Sequence, residues 1–433
     1  MKPQLQEILT LTIVRMGIHG EGVASHEGFT IFVEGALPKE RVRASLFDVR
    51  KNYGRARVLE YLETSPHRVK PPCPVFGRCG GCQIMHLDYS QQLETKRQRV
   101  IDALERIGKI KVDVQPCIPS PSPFSYRNKI QLPYQDFHLG LYAFNSHDLV
   151  EIEKCYIHCP LGEQAFSCIK AILQRSPAPN LWHVLIKTAV NTDQVLVILV
   201  TDKGAEVLKL AQEIKDSMGQ IRGVVQNINE SPGNVILGKI YQTLVGEGCI
   251  FDTICGLTFK VSPASFFQVN PPQAENLYKK ALEACNLKGV ETVLDAYCGV
   301  GTLSLLLAQK AKKVVGVESV PEAIGDAQEN AKLNQIENAE FTCAFAEDFI
   351  GKLSAMDVAV INPPRKGCEP AFLNKLIELQ PKQIVYISCD PATLARDLAI
   401  LQGGKYRIQT VQPFDMFPQT VHVETLVSLS LSG

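Results

Sequence analysis

The spacing of apolar positions changes along the chain, and each change marks a different kind of element. Residues 1–62 alternate apolar and polar side chains in short runs such as ILTLTIV and FTIFVEG. Gly- or Pro-containing turns interrupt them at roughly ten-residue intervals, which predicts a small all-β barrel. DYSQQLETKRQRVIDALERIG (88–108) reads as a helix. Residues 111–262 are rich in β-type runs such as LWHVLIKTAV and QVLVILVT, with one helical stretch near 205–218. Together with the cysteine-containing loop before them, they predict a central α+β domain over 63–262. From 263 to 433 strand and helix patterns alternate: VETVLDAYCGVGTLSLLLAQ, KKVVGVES, a helix through IGDAQENAKLN, AEFTCAF, MDVAVINPPRKG, a helix, QIVYISCD and a final helix. That alternation predicts a doubly wound α/β domain.

Hydrophobic residues are 45% of the chain and charged residues 21%, as in an ordinary globular protein. No run approaches the roughly 18 apolar residues of a membrane span. The start, MKPQLQEILTLTIV, lacks the apolar block of a signal peptide. A cytoplasmic monomer without membrane attachment is expected. Net charge is zero, but residues 1–130 hold 20 Lys and Arg against 13 Asp and Glu, and the remainder 25 against 32. A polyanion responds to local charge rather than to the total. Arg41, Arg43, Arg50, Lys51, Arg55 and Arg57 surround Tyr53 on the last strand pair of the barrel. They predict an RNA-binding face, the alternative being a solvated charged sheet. In SYRNKIQLPY, Arg127 and Lys129 are expected in an exposed turn within reach of phosphates.

Fourteen cysteines without a signal peptide do not suggest a disulfide framework. Cys73, Cys79 and Cys82 stand out, spaced C-x5-C-x2-C in a Pro/Gly-rich loop suited to a metal or cluster. Cys155 and Cys159 are the nearest candidates for a fourth ligand. Four thiolates suit an iron–sulfur cluster or a zinc ion.

Three further motifs fall at strand ends. VLDAYCGVGTLSL is a strand, a turn with Gly299 and Gly301, and a helix, and Glu318 ends the next strand. This D-x-x-x-G-x-G turn, with an acid placed for a ribose diol, resembles motif I of methyltransferases dependent on S-adenosylmethionine. INPPRKG ends the fourth strand. Asn-Pro-Pro also occurs in amino-group methyltransferases, where an aromatic follows, but Arg365 follows here. In SCDPATLARDL, Cys389 sits at the tip of the next strand, placed for a nucleophile. The helix start behind it is expected to favour the thiolate. Thiolate addition to C6 of a pyrimidine activates C5 toward a methyl donor. A base must then remove the C5 proton. HVETL offers Glu424, with His422 beside it.

Taken together, SPASFFQVN (262–270), DAYCGVGTLSL, NPPRKG, SCDPATLARDL and HVETL resemble the RNA uracil-5-methyltransferase family, in that family's order and over nearly the whole chain. The resemblance implies a TRAM-like barrel, a [4Fe-4S] cluster held by Cys73, Cys79, Cys82 and Cys155, and S-adenosylmethionine as methyl donor. It makes Cys389 the nucleophile and Glu424 the base. It places Gln268, Tyr297, Gly299, Thr302, Glu318 and Asn362 around the donor and target base. The implied substrate is a uridine of 23S rRNA, with a tRNA uridine as the alternative. Two positions depart from the family pattern: Asn362 where an aspartate is usual, and Asp390 where an asparagine is usual.

Overall fold

The computed structural model describes residues 2–230, 235–353 and 355–432. At the N-terminus the strands Ile8–Thr12, Arg41–Val49, Tyr53–Glu63, Phe29–Glu34, Gly22–His26 and Arg15–Met16 lie side by side in that order. Period-two alternation decides their faces. Along Arg41–Val49, Val42, Ala44 and Leu46 are buried while Arg41 and Arg43 point to solvent. The buried set joins Leu11, Ile31, Val33 and Ala56 in the interior. The expected basic face is largely neutralised. Arg41 faces Glu63 at 3.6 Å, Arg43 faces Glu60 at 3.0 Å, Arg50 meets Asp48 at 2.9 Å and Arg57 meets Glu34 at 3.3 Å. Among the described residues, only Lys51 and Arg55 of the six basic residues form no ion pair. Glu34, Glu60 and Glu63 come from neighbouring strands, so strand pairing makes three of these pairs, while Asp48 is local to Arg50.

The central unit is a seven-stranded sheet ordered Ile240–Gly246, Ile221–Ile228, Gln194–Thr201, Leu181–Ala189, Lys129–Gln135, His138–Tyr142 and Leu149–Glu151. The helix Leu208–Ser217 falls where expected. A second helix, Pro160–Arg175, stands where only strands and loop were expected. Its signals are plain in retrospect: Pro160 at the first turn and buried Ala165, Phe166, Ile169, Ile172 and Leu173 at helical spacing.

In the C-terminal sheet the order is Ala339–Cys343, Lys313–Glu318, Thr292–Ala296, Val358–Ile361, Gln383–Ser388, Glu424–Leu431, Tyr406–Phe414. The first five strands are parallel, and Glu424–Leu431 runs antiparallel to both its neighbours. Both faces are covered, which is why these strands are apolar throughout rather than alternating. Leu294, Ala296, Ala359, Ile361, Ile384 and Tyr386 pack into one core, and Val293, Val358, Val360, Val385 and Ile387 into the other. Chain order reverses between Thr292–Ala296 and Val358–Ile361. A crevice forms beyond the strand ends at such a switch point.

The helix Tyr89–Ala103 ties the N-terminal half to this domain. Lys96 is buried against Asp415, and its Nζ also donates to the carbonyl of Phe417 at 3.0 Å. Gln92 exchanges hydrogen bonds with Gln419, and Arg99 donates to the carbonyl of Val421 at 2.7 Å. These contacts fix the segment that leads into Glu424. Lys96→Met would leave Asp415 as an unpaired buried charge. The expected cost is about 3–5 kcal/mol, read as a lower urea midpoint. An unchanged midpoint would mean that the pair is only spectating.

Candidate active site

One cavity of about 990 Å³ opens at the switch point and runs from the cysteine loop to the strand ends. Gln268, Tyr297, Gly299, Glu318, Asn362, Cys389 and Glu424 all line it, as do Cys73, Cys79, Cys82 and Cys155. Thr302 does not. It is the first residue of the helix Thr302–Ala308 and is buried behind the turn. The turn itself is tight: Tyr297 has φ 66° and Gly299 φ 55°. The carboxylate of Glu318 accepts from the N–H groups of Gly299 (3.3 Å), Ser319 (2.7 Å) and Val320 (3.1 Å). Those bonds fix an acid at the strand tip, where a diol can donate to it. Beneath the turn, Asp295 is wholly buried. Burial pushes it up to about 7, against the Ser304 hydroxyl that donates to it.

The nucleophile candidate and the base candidate meet across a strand pair. Ser388 is in register with Thr425, so Cys389, one residue on, stands against Glu424, one residue back. Burial pushes the Cys389 thiol up to about 11, aided by the Glu424 carboxylate and opposed by Arg365. The thiol is therefore not poised as a thiolate, contrary to expectation. The helix Pro391–Gly403 does begin behind it. However, its first free N–H groups, on Ala392 and Thr393, are already bonded to the Asp390 carboxylate at 2.9 and 3.0 Å. Asp390 is thus an N-cap and not a cavity residue. It does not replace an acid missing at Asn362. Glu424 is buried, and burial alone pushes it up to about 8. His422 is pushed down to about 4 by burial and by Arg365, Arg99, Lys96 and Arg127, so it stays neutral.

The loop after Asn362 is held to the same helix. Asp397 accepts from Tyr386 (2.6 Å) and from the N–H of Cys368 (2.8 Å). Gly367 lies so close that a Cβ there would come within 2.6 Å of the Asp397 carboxylate. Arg127 and Lys129 are not in an exposed turn: they form part of the cavity wall, with Lys154, Arg365 and Lys366. Basic side chains thus also gather around the cavity. Phe266 and Phe345, 64% and 65% exposed, flank the opening as flat stacking surfaces. Phe345 was legible only as a residue just past a strand end.

The four cysteines sit together at the far end. Cys82 lies within electrostatic reach of Cys155, Cys79 and Cys73. Burial raises Cys82 strongly and pushes Cys155 up to about 11. Cys159 is buried at the start of Pro160–Arg175 and faces away from this cavity. Among the described residues, no three His, Cys, Asp or Glu are arranged to share one metal ion.

Residues 4–59 match the TRAM domain family, and residues 287–411 match a methyltransferase domain family. An uncharacterized RNA methyltransferase of Halalkalibacterium halodurans is 42% identical over 99% of this chain and 98% of its own. Another, from Clostridium tetani, is 41% identical over 98% and 96%. Among solved structures, the Pyrococcus abyssi tRNA (uracil-54, C5)-methyltransferase in complex with S-adenosyl-L-homocysteine matches with a TM-score of 0.79 at 28% identity, covering 97% of this chain and 99% of that one. The chain belongs to the RNA methyltransferase family, with a TRAM domain at its N-terminus and the methyltransferase domain at its C-terminus.

Proposed function

We propose that this RNA methyltransferase methylates C5 of a uridine through a covalent cysteine adduct. The register that sets Cys389 against Glu424 in one cavity is the observation that carries the reading. Bound S-adenosylmethionine supplies an electrophilic methyl group on its sulfonium sulfur. The Cys389 thiol gives its proton to the Glu424 carboxylate, which releases it to solvent, and the sulfur bonds to C6 of the flipped uracil. The C5–C6 π pair moves toward O4, and C5 becomes the nucleophile that takes the methyl as the sulfonium S–CH3 bond breaks and S-adenosylhomocysteine leaves. C5 then carries both a methyl and a hydrogen. The Glu424 carboxylate removes that proton, the C5–C6 double bond re-forms, and the C6–S bond breaks to return the thiolate. Arg365 favours the thiolate, and the amide of Asn362 can hydrogen-bond the uracil edge.

The proton count sets the pH profile. Both groups are held protonated at neutral pH, Glu424 with a value of about 8. Activity needs a proton to leave the pair, so kcat/KM rises with pH up to about 8 and flattens above it. A profile flat from pH 6 to 9 would remove Glu424 as the base.

The four-thiol end is read as a [4Fe-4S] site on the family resemblance alone, each thiolate then meeting a different iron; four thiolates would equally suit zinc. Cys73, Cys79, Cys82 and Cys155 would hold it, and its role is read as structural. Anaerobically purified protein is expected to carry iron and sulfide. Cys155→Ser should lose both while Cys159→Ser keeps them. The reverse result would make Cys159 the ligand.

A TRAM domain together with a four-cysteine site resembles the enzymes of 23S rRNA, which is the favoured substrate. The fold match to an enzyme of tRNA favours tRNA as the second reading. Methylation assays on 23S rRNA and tRNA, each lacking 5-methyluridine, separate the two.

A further inference from the structure

Residues 262–270 carry Phe266 and Gln268 into the cavity wall, yet after Val261 they belong to no helix or strand. Their backbone groups need partners from elsewhere. The central domain supplies them. Lys187, on the strand Leu181–Ala189, donates from Nζ to the carbonyls of Ser262 at 2.7 Å and Ser265 at 2.8 Å. Asn128 donates its backbone N–H to the carbonyl of Val269 at 2.9 Å and its Nδ2 to that of Gln268 at 3.1 Å. The N–H of Thr188 donates to the carbonyl of Asn128 at 2.8 Å, joining the two clasps. On its far side the loop is held by the Ser262 hydroxyl, which donates to Asp326 of the helix Pro321–Leu333 at 2.6 Å.

Lys187 is an unusual choice for this task. It is only 5% exposed, and among the described residues both of its hydrogen bonds go to backbone carbonyls. Burying an ammonium is costly, and burial together with Lys129 pushes it down to about 7, against the pull of the Asp326 carboxylate. An apolar side chain would suit the strand better on stability grounds alone. What the ammonium adds is two charge-assisted bonds to one irregular loop, at the residues just before Phe266 and Gln268.

We infer that Lys187, with Asn128, is a positioning residue for the methyl-donor site, holding loop 262–270 so that Gln268 faces the donor. This rests on the donor-site reading given under the proposed function. Lys187 itself does not line the cavity and touches no reacting atom.

The test measures S-adenosylhomocysteine binding by calorimetry, and KM for S-adenosylmethionine and kcat with RNA. Wild type, Lys187→Met, Lys187→Arg and Asn128→Ala are compared. Lys187→Met is expected to raise both Kd and KM about tenfold or more, with kcat at saturating donor within about threefold. Lys187→Arg should recover part of the loss, because it keeps the donors. Asn128→Ala should shift Kd in the same direction by less, and it decides the matter if Lys187→Met does not fold. Unchanged Kd and KM in folded variants would overturn the inference, as would a fall in kcat with KM unmoved. A wild type that binds no S-adenosylhomocysteine would instead sink the donor-site reading itself.

Discussion

Cys389→Ala should lower methyl transfer to RNA by roughly 10,000-fold or more, while binding of RNA and of S-adenosylhomocysteine stays near wild type. The size follows from the chemistry. Uracil C5 is a poor carbon nucleophile until sulfur is bonded to C6, and the other thiols of the cavity, Cys73, Cys79, Cys82 and Cys155, sit together at its far end. Cys298 lies behind the motif turn, among the buried groups around Asp295, and Cys368 is buried against Tyr386. Neither lines the cavity. Removing the sulfur leaves the donor pocket intact, so the loss falls on kcat and not on KM. Radiolabel transfer at saturating donor reads it directly. Retention of more than about a tenth of wild-type activity would mean that the target atom needs no covalent activation. An exocyclic amine, which Asn362-Pro363-Pro364 brings to mind, would then be the better candidate.

Glu424→Gln acts later in the sequence of steps, and its expected signature is accumulation rather than silence. The amide is nearly the same size and cannot accept the C5 proton. Addition and methyl transfer still proceed, but the C6–S bond cannot break until that proton is gone. A protein–RNA species should persist on a denaturing gel, carry the transferred methyl label and vanish in the Cys389→Ala, Glu424→Gln double variant. Turnover should fall by about 100- to 10,000-fold. The rise of kcat/KM toward about pH 8 should disappear with the carboxyl. A variant that turns over normally, with no adduct, would assign proton removal to another group. His422 is a poor substitute, although it lies at the same rim: burial and four cationic side chains hold its proton affinity down, to about 4.

Much of this site was legible because the residues that matter sit at strand ends, and strand ends are written in contiguous motifs. Gly299, Glu318, Asn362 and Cys389 each follow a short apolar run and precede a turn or helix, and the doubly wound fold brings all such positions to one edge. What depended on distant partners was not legible. The thiol of Cys389 looked favoured by a helix start, but Asp390 occupies that start and Glu424 stands across the strand pair. The barrel arginines read as an RNA face, and the TRAM match agrees with that; what the sequence did not show is that their ion partners Glu34, Glu60 and Glu63 arrive by strand pairing. Arg127 and Lys129 looked exposed because a short polar run reads as a turn, whereas the strand Lys129–Gln135 begins inside the cavity wall. The helix Pro160–Arg175 was hidden in a stretch read as strand-rich, where the cysteines before it drew attention as ligands. Thr302 follows the glycines in sequence but turns inward with the helix, a direction that spacing alone does not give.

The most direct test of the central claim is identification of the methylated nucleoside. Total RNA lacking 5-methyluridine is incubated with the protein and labelled S-adenosylmethionine, separated by size and digested. The account predicts label in 5-methyluridine, released from RNA by wild type and trapped on protein by Glu424→Gln. Label in a methylated adenosine, guanosine or cytidine, with Cys389→Ala still active, would contradict it.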